Sequence, residues 1–264
     1  MTVKTWAGYN VYIDNDSYRR LRPYIENEYE IFVSLLVKCL LHSGDVFIDV
    51  GAHIGHYTLT AAPIVGEEGK VWAIEPDPIT FAILERNVKI AHFQNVLCLR
   101  VGIADQRGIA RLFCYSQSGS TNSLYGSPST TNFLDVPCLT LDAIFEGTKV
   151  NGLKIDAEGA DIEILKGAVK LIEANPDIWM IIELRPGFLK EVVGIDPVEL
   201  LQTLWSSGFT TFFINQEANT LTQLQASSYF IKYGKLLCFK SLSVWIEKLK
   251  RECKVKFEDC SYSG

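Results

Sequence analysis

The stretch DVGAHIG, Asp49 to Gly55, decides the fold, because it joins a strand to a helix through two glycines. Before it, Asp45 to Val50 is a short apolar run with the length and β-branched content of a buried strand. After it, Gly55 to Val65 reads as a helix that Gly66 stops. Working outward, Val71 to Ile74 is a second strand, closed by the EPDP segment. Pro78 suits a first helical turn, and that helix runs to about Ala91. Asn95 to Val101 is a third strand. This βαβαβ alternation predicts a parallel sheet with helices on both faces.

The pattern continues. Gly108 to Tyr115 and Phe133 to Leu139 read as strands on either side of a polar loop, Ser116 to Asn132. A structureless loop of that length is uncommon unless it is functional or mobile. Asn151 to Asp156 and Ile178 to Leu184 return to the core-strand pattern, with a helix over Ala160 to Glu173 between them. A helix from Val198 to Ser207 and the strands Thr210 to Ile214 and Leu236 to Phe239 follow. Leu242, Trp245 and Leu249 line one face of a last helix. The expected fold is α/β, a Rossmann-like, seven-stranded, mostly parallel sheet with helices on both faces. Residues 1–44 are expected to form a strand and helix cap on the core, 45–240 the main domain, and 241–264 a C-terminal helix and tail, loosely packed after Glu252.

Composition agrees with one full core: 264 residues, 48% hydrophobic and 21% charged. No apolar run reaches the roughly 20 residues of a membrane span. Ile31 to Leu41 has apolar pairs at helical spacing and reads as a buried helix. The N-terminus shows no apolar leader, and the expected compartment is the cytoplasm. Seven cysteines form no CxxC pair, and Cys39, Cys98 and Cys238 sit in apolar runs, the pattern of reduced core thiols. A net charge of −6 makes a nucleic-acid backbone an unsuitable partner. The basic clusters Arg19, Arg20, Arg22 and Lys248, Lys250, Arg251, Lys254, Lys256 read as solvated surface, with contact to an anionic substrate or membrane headgroups as the alternative.

Gly51 allows a tight turn, and Gly55 lets the helix start close against the strand, so backbone N–H groups face the crevice above the sheet. Glu75 ends the next strand, where a carboxylate can accept hydrogen bonds from both ribose hydroxyls of an adenosine. Dinucleotide sites instead use GxGxxG, a bare path for a pyrophosphate. Here His53 and Ile54 fill the gap between the glycines, and the acidic Asp49 would repel a pyrophosphate while suiting the ammonium of a methionine. The order Asp49, Gly51, Gly55, Glu75 therefore points to S-adenosyl-L-methionine rather than NAD. His53, Pro76, Gly102 and Asp156 are read as part of the same cofactor set.

The segments DVGAHIGHYTLTAA, IEPDPITFAILERNV, TLDAI and KIDAEGADIEILKGA resemble the successive motifs of the FkbM-type methyltransferases. The last is the distinguishing one, since generic class I methyltransferases lack it. The resemblance runs from about Tyr29 to Leu184, more faintly to Phe239. It implies a class I sheet with a reversed terminal hairpin, and methyl transfer to a hydroxyl of a sugar or other small metabolite. Family members commonly have Asn where this chain has His53, and Tyr where it has His56.

On the acceptor side, Lys154, Asp156 and Glu158 crowd the end of the fourth core strand. Charges near a core must be paired or used. Glu158 or Asp156 is the candidate base or acceptor ligand, with Lys154 as a catalytic candidate that holds one of them ionised. The structural alternative pairs Lys154 with Glu183. His56 is a further candidate base with a near-neutral pKa. His42 and His92 read as helix-end residues. By the resemblance, Glu30 could reach the donor, and Ser120 and Ser123 belong to a serine-rich acceptor loop. Asp156 and Glu183 could hold Mg²⁺, but no spaced His/Asp set accompanies them, and no metal is expected. The expected partner is a small-molecule acceptor, a sugar, lipid headgroup or other metabolite, with no membrane span and an oligomeric state that is not readable. The rival reading is a non-catalytic S-adenosylmethionine-binding scaffold, which would have no need of the charged cluster.

Overall fold

The computed structural model describes residues 2–4, 10–12, 30–115, 122–126, 130–225 and 232–258. The cluster Arg19, Arg20, Arg22, Ser120 and the tail 259–264 lie outside the described residues. In chain order the strands are β1 (Thr2–Lys4), β2 (Asn10–Tyr12), β3 (Val46–Val50), β4 (Lys70–Ile74), β5 (Val96–Leu99), β6 (Gly102–Ile103), β7 (Gly108–Phe113), β8 (Phe133–Leu139), β9 (Gly152–Ile155), β10 (Trp179–Leu184), β11 (Thr210–Asn215), β12 (Thr220–Gln223), β13 (Gly234–Phe239) and β14 (Lys256–Glu258).

One sheet runs in the order β14-β12-β11-β13-β10-β9-β3-β4-β5. The seven expected strands are its contiguous body from β11 to β5. Neighbours from β5 to β10 are parallel, and β13 runs antiparallel between β10 and β11, the reversed hairpin that the resemblance implied. Two short strands extend the edge. Of these, β14 pairs in parallel with β12, Thr220 opposite Lys256, so the segment just after Glu252 is sheet rather than loose tail. The hairpin β7–β8 forms a separate small sheet with β6.

Strand alternation divides the core in two. Phe47, Val71, Trp179 and Leu237 face the helices Ile31–Leu40, His56–Val65 and Leu242–Glu252. Ile48, Leu153, Met180 and Leu236 face Asp161–Lys166, Val169–Ala174 and Pro197–Ser206. Local signals start several helices. Asp77 accepts from the N–H groups of Ile79 and Thr80 at 2.9 and 2.7 Å, and Asp196 with Glu199 forms a capping box.

Two further expectations need correction. The single helix over Ala160 to Glu173 is two, broken at Gly167 and Ala168. A Cβ on Gly167 would lie 2.3 Å from the Ala104 carbonyl, so the chain crosses there too closely for any side chain. The second helix restarts because Asp142 accepts from the N–H groups of Lys170 and Leu171 at 3.1 and 2.8 Å. The thiols are not all reduced: Cys39 and Cys253 are disulfide-bonded across 6.3 Å between Cα atoms, tying the helix Ile31–Leu40 to the end of the last helix. Cys98, Cys114, Cys138 and Cys238 are free. Among the described residues no helix is long and apolar enough to cross a membrane.

From β3 the chain winds outward through β4 to β5, then returns to β9 on the other side of β3. The crevice above the carboxyl ends of β3 and β9 is thus the switch point where ligands bind in open α/β sheets.

Candidate functional site

Four neighbouring strands, β3, β9, β10 and β13, each carry one buried charge near this crevice: Asp49, Lys154, Glu183 and Lys235. Register makes them alternate in sign, with Asp49 opposite Lys154 and Glu183 opposite Lys235. Lys154 Nζ lies 3.2 Å from Asp49 Oδ1 and 3.6 Å from Asp156 Oδ2, and donates to the Gly51 carbonyl at 2.9 Å. Lys235 Nζ lies 2.7 Å from Asp156 Oδ2, 3.2 Å from Glu30 Oε1 and 3.8 Å from Glu183 Oε1. Burial opposes both ammonium charges, but Asp49 and Asp156 outweigh it at Lys154, and Asp156, Glu30 and Glu183 at Lys235. Both pKa values are raised, and both lysines stay charged.

This geometry places three of the expected residues. Lys154 pairs with Asp49 and Asp156 rather than Glu183, because register sets Lys154 opposite Ile181. Glu158 takes Arg185, at the end of β10, as its ion partner. Asp49 lies beneath the crevice rather than in its wall, where Thr58 donates to its Oδ2 at 2.7 Å.

A cavity of about 270 Å³ opens at the carboxyl strand ends. Gly51, His53, Glu75, Pro76 and Gly102 line it on one side, and Lys154, Asp156 and Glu158 on the other. Gly55 stays below it, as the residue from which the helix His56–Val65 starts. Gly51 has φ +72°, and a Cβ there would lie 2.0 Å from the Asp156 carbonyl, so glycine is what lets the ends of β3 and β9 meet. His53 has φ +51°, a left-handed conformation that His and Asn both tolerate better than most residues.

The two Glu75 oxygens each accept one backbone N–H, from His53 at 3.0 Å and from Asp77 at 2.9 Å. Burial raises its pKa to about 7, against those two hydrogen bonds. Each oxygen keeps acceptor capacity, which suits a ribose diol. Ile103, Leu112 and Leu124 add an apolar wall for a base. These residues fit an adenosyl donor.

On the acceptor side Asp156, Glu158 and Glu183 bring carboxylate oxygens within 4.8 Å of one another, opposed by Lys235 and Arg185. Burial opposes the Asp156 charge, but Lys235 and Lys154 win and lower its pKa. Burial and the Asp156 charge raise Glu183 to about 8. His56 is not a near-neutral base. Its Nε2 lies 2.8 Å from Ser34 Oγ, and burial with the charges of Lys154 and Lys235 lowers its pKa to about 3. Ser123 Oγ donates to the Glu158 carbonyl at 2.6 Å, and Asn122 donates to Asp77 Oδ2 at 3.1 Å, so the described middle of the polar loop is tied to the site. Glu30 accepts from the Tyr57 hydroxyl as well as pairing with Lys235. His92 follows the helix Pro78–Ile90, and His42 stands beside Trp245 after the helix Ile31–Leu40.

Sequence reading missed Lys235, Arg185, Tyr233 and Asn122. Lys235 left a signal: a lone Lys directly before the apolar run Leu236 to Phe239, where an unpaired charge would be untenable. Arg185 and Tyr233 left none, since each is one polar residue at a strand end.

Residues 49–211 match the family model described as the methyltransferase FkbM domain. The hexuronic acid methyltransferase AglP of Haloferax volcanii is 28% identical over 63% of this chain and 64% of its own length. Methyltransferase 1 of Beauveria bassiana is 26% identical over 52% of this chain and 64% of that one. The chain spans about a third to two thirds of the length of the curated relatives it matches. Among solved structures, a SAM-dependent methyltransferase from Aquifex aeolicus is 15% identical, covering 86% of this chain and 98% of that one, with a TM-score of 0.47.

Proposed function

This chain belongs to the FkbM methyltransferase domain family, whose methyl donor is S-adenosylmethionine, and we propose that it methylates a hydroxyl of a sugar, a hexuronic acid in particular. The observation that carries the reading is the single cavity that sets Gly51 and Glu75 against the carboxylates Asp156, Glu158 and Glu183. We assign donor binding to Gly51, His53, Glu75, Pro76 and Gly102, with Asp156 at the junction. Asp49 acts through Lys154, which it holds charged and in place. When bound, the donor supplies an electrophilic methyl carbon on a sulfonium. The protein must then orient the acceptor and exclude water. Carboxylates at the acceptor side can accept hydrogen bonds from sugar hydroxyls, and Arg185 can meet a uronic carboxylate. We read 45–240 as the catalytic domain, with 1–44 and 241–264 packed onto it. We read its compartment as the cytoplasm from the four free thiols among the described residues, against which the Cys39–Cys253 bond weighs. Thiol trapping during lysis decides between them.

The test has two arms. Calorimetry should show S-adenosylhomocysteine binding at least ~100-fold tighter than NAD, about 2.7 kcal/mol. Methyl-labelled donor should then label glucuronic or galacturonic acid in preference to neutral hexoses. Equal affinities overturn the methyltransferase reading. Donor binding with no label passed to any of these sugars or to a cell extract would replace the enzyme with a binding scaffold.

A further inference from the structure

Resting on that reading, we propose that Glu183 takes the proton from the acceptor hydroxyl and that Tyr233 passes it to solvent. Of the three acceptor-side carboxylates, Asp156 has its Oδ2 between two ammonium groups, 2.7 Å from Lys235 and 3.6 Å from Lys154. Glu158 is held by the Arg185 guanidinium. A carboxylate committed to a fixed cation gains little by accepting a proton, so both are weak bases. Glu183 is different. Its nearest cation, Lys235, stands 3.8 Å away, beyond hydrogen-bond reach, and its Oε1 accepts instead from the neutral Tyr233 hydroxyl at 3.0 Å. Its Oε2 is buried with no donor among the described residues.

A buried carboxylate oxygen without a donor has an open place for the acceptor hydroxyl. Asp156 stays ionised beside its two lysines, its carboxylate oxygen within 4.8 Å of that of Glu183, and this neighbouring charge favours a proton on Glu183. The groups facing Glu183 are Asp156 and Glu158 from the end of β9, Asp161 from the helix beyond, and Lys235 and Tyr233 from around β13. Lys235 in turn is held by Glu30. Burial, Asp156 and Asp161 raise the Glu183 pKa, and Lys235 and the Tyr233 hydrogen bond lower it, leaving it at about 8. That lies near the pH at which a general base works best.

In the step, the acceptor oxygen bonds to the methyl carbon as the carbon–sulfur bond breaks, with that electron pair staying on sulfur. The acceptor proton passes to ionised Glu183, so the positive charge lost from sulfur leaves as a proton. Tyr233 lines the cavity and is 65% exposed. For release, the Glu183 proton must stand on Oε1, the oxygen that Tyr233 touches; the Tyr233 oxygen then takes it while the hydroxyl gives its own proton to water.

Full-length Glu183→Gln decides the matter through three measurements. Affinity for S-adenosylhomocysteine by calorimetry should match the wild type, which shows a folded donor site. Turnover of labelled methyl into glucuronic acid should fall ~100-fold to 10,000-fold. Infrared titration of the protein carboxyls should show the variant losing one of the carboxyls that ionise well above the usual range, with Glu75 and Asp161 kept. Tyr233→Phe should keep turnover measurable while moving the wild-type rise of kcat through about pH 8. Wild-type turnover in Glu183→Gln, or an infrared titration that the substitution leaves unchanged, overturns the proposal. The infrared titration still tests Glu183 if glucuronic acid takes no label, a result that counts against the sugar reading and not against this carboxyl. Loss of S-adenosylhomocysteine binding by the wild type itself would sink the methyltransferase reading instead.

Discussion

Glu75 is pulled two ways. Burial favours its neutral form, while the N–H groups of His53 and Asp77 favour the carboxylate, and burial wins to leave it near 7. A ribose diol adds donors to the ionised form, so S-adenosylhomocysteine binding near pH 6 to 7 should release a proton. Calorimetry in two buffers of different ionisation enthalpy measures it, and zero release would mean that the ligand leaves this carboxyl untouched. Glu75→Ala should weaken binding by about 1.5 to 3 kcal/mol. The sign for stability follows from the raised values, about 7 for Glu75 and Asp161 and about 8 for Glu183. An acid raised on folding stabilises below its unfolded pKa and loses that contribution as pH climbs through its folded pKa. The unliganded protein should therefore melt lower at about pH 8 than at about pH 6. Asp156, lowered by its lysines, acts oppositely and only in acid. Gly51 and Glu75 were legible in the sequence because each ends a strand, where position alone brings a residue to the crevice. The partner of Lys154 was not, since register between β9 and β10 is a tertiary fact.

Elements with their own start and stop signals were legible to within a residue. Asp77 before Pro78 and Asp196 before Pro197 each announce a helix with a side chain that caps its own chain. The break at Gly167 was illegible, because its cause, the Ala104 carbonyl and the Asp142 side chain, lies on other segments. Glycine within a helical pattern is tolerated often enough that the residue by itself decides nothing. Close approach gives this break a measurable consequence. Gly167→Ala puts a methyl 2.3 Å from a backbone oxygen that cannot rotate away, and overpacking of that kind costs about 1 to 3 kcal/mol. Gly187→Ala is the control, since its Cβ would meet nothing within 4 Å and should change stability by less than about 0.5 kcal/mol. Urea unfolding of the two variants separates them, and equal midpoints would show that the chain crossing at Ala104 yields freely.

At the scale of the molecule, the helix Ile31–Leu40 lies over the charged end of the sheet. Its cap residue Glu30 holds Lys235, and its last turn carries Cys39. Through the disulfide to Cys253 it is tied to the end of the last helix, whose Trp245 and Leu249 pack in the same cluster, just before β14 closes the far edge of the sheet. None of this was readable from cysteine spacing, because the two residues are 214 apart and Cys39 stands in an apolar run that suits a core thiol equally well. A bond that closes so long a loop acts mainly on the unfolded chain, by removing conformations it would otherwise explore. Its loss should cost about 2 to 4 kcal/mol, with the folded arrangement of Glu30 and Lys235 kept by packing. Cys39→Ser should therefore lower the urea midpoint while leaving affinity for S-adenosylhomocysteine unchanged. Reductant should lower the wild-type midpoint to that of the variant and leave the variant where it is. If reductant moves neither protein, the bond adds nothing to the contacts of Trp245 and Leu249, and the two helices are held by packing alone.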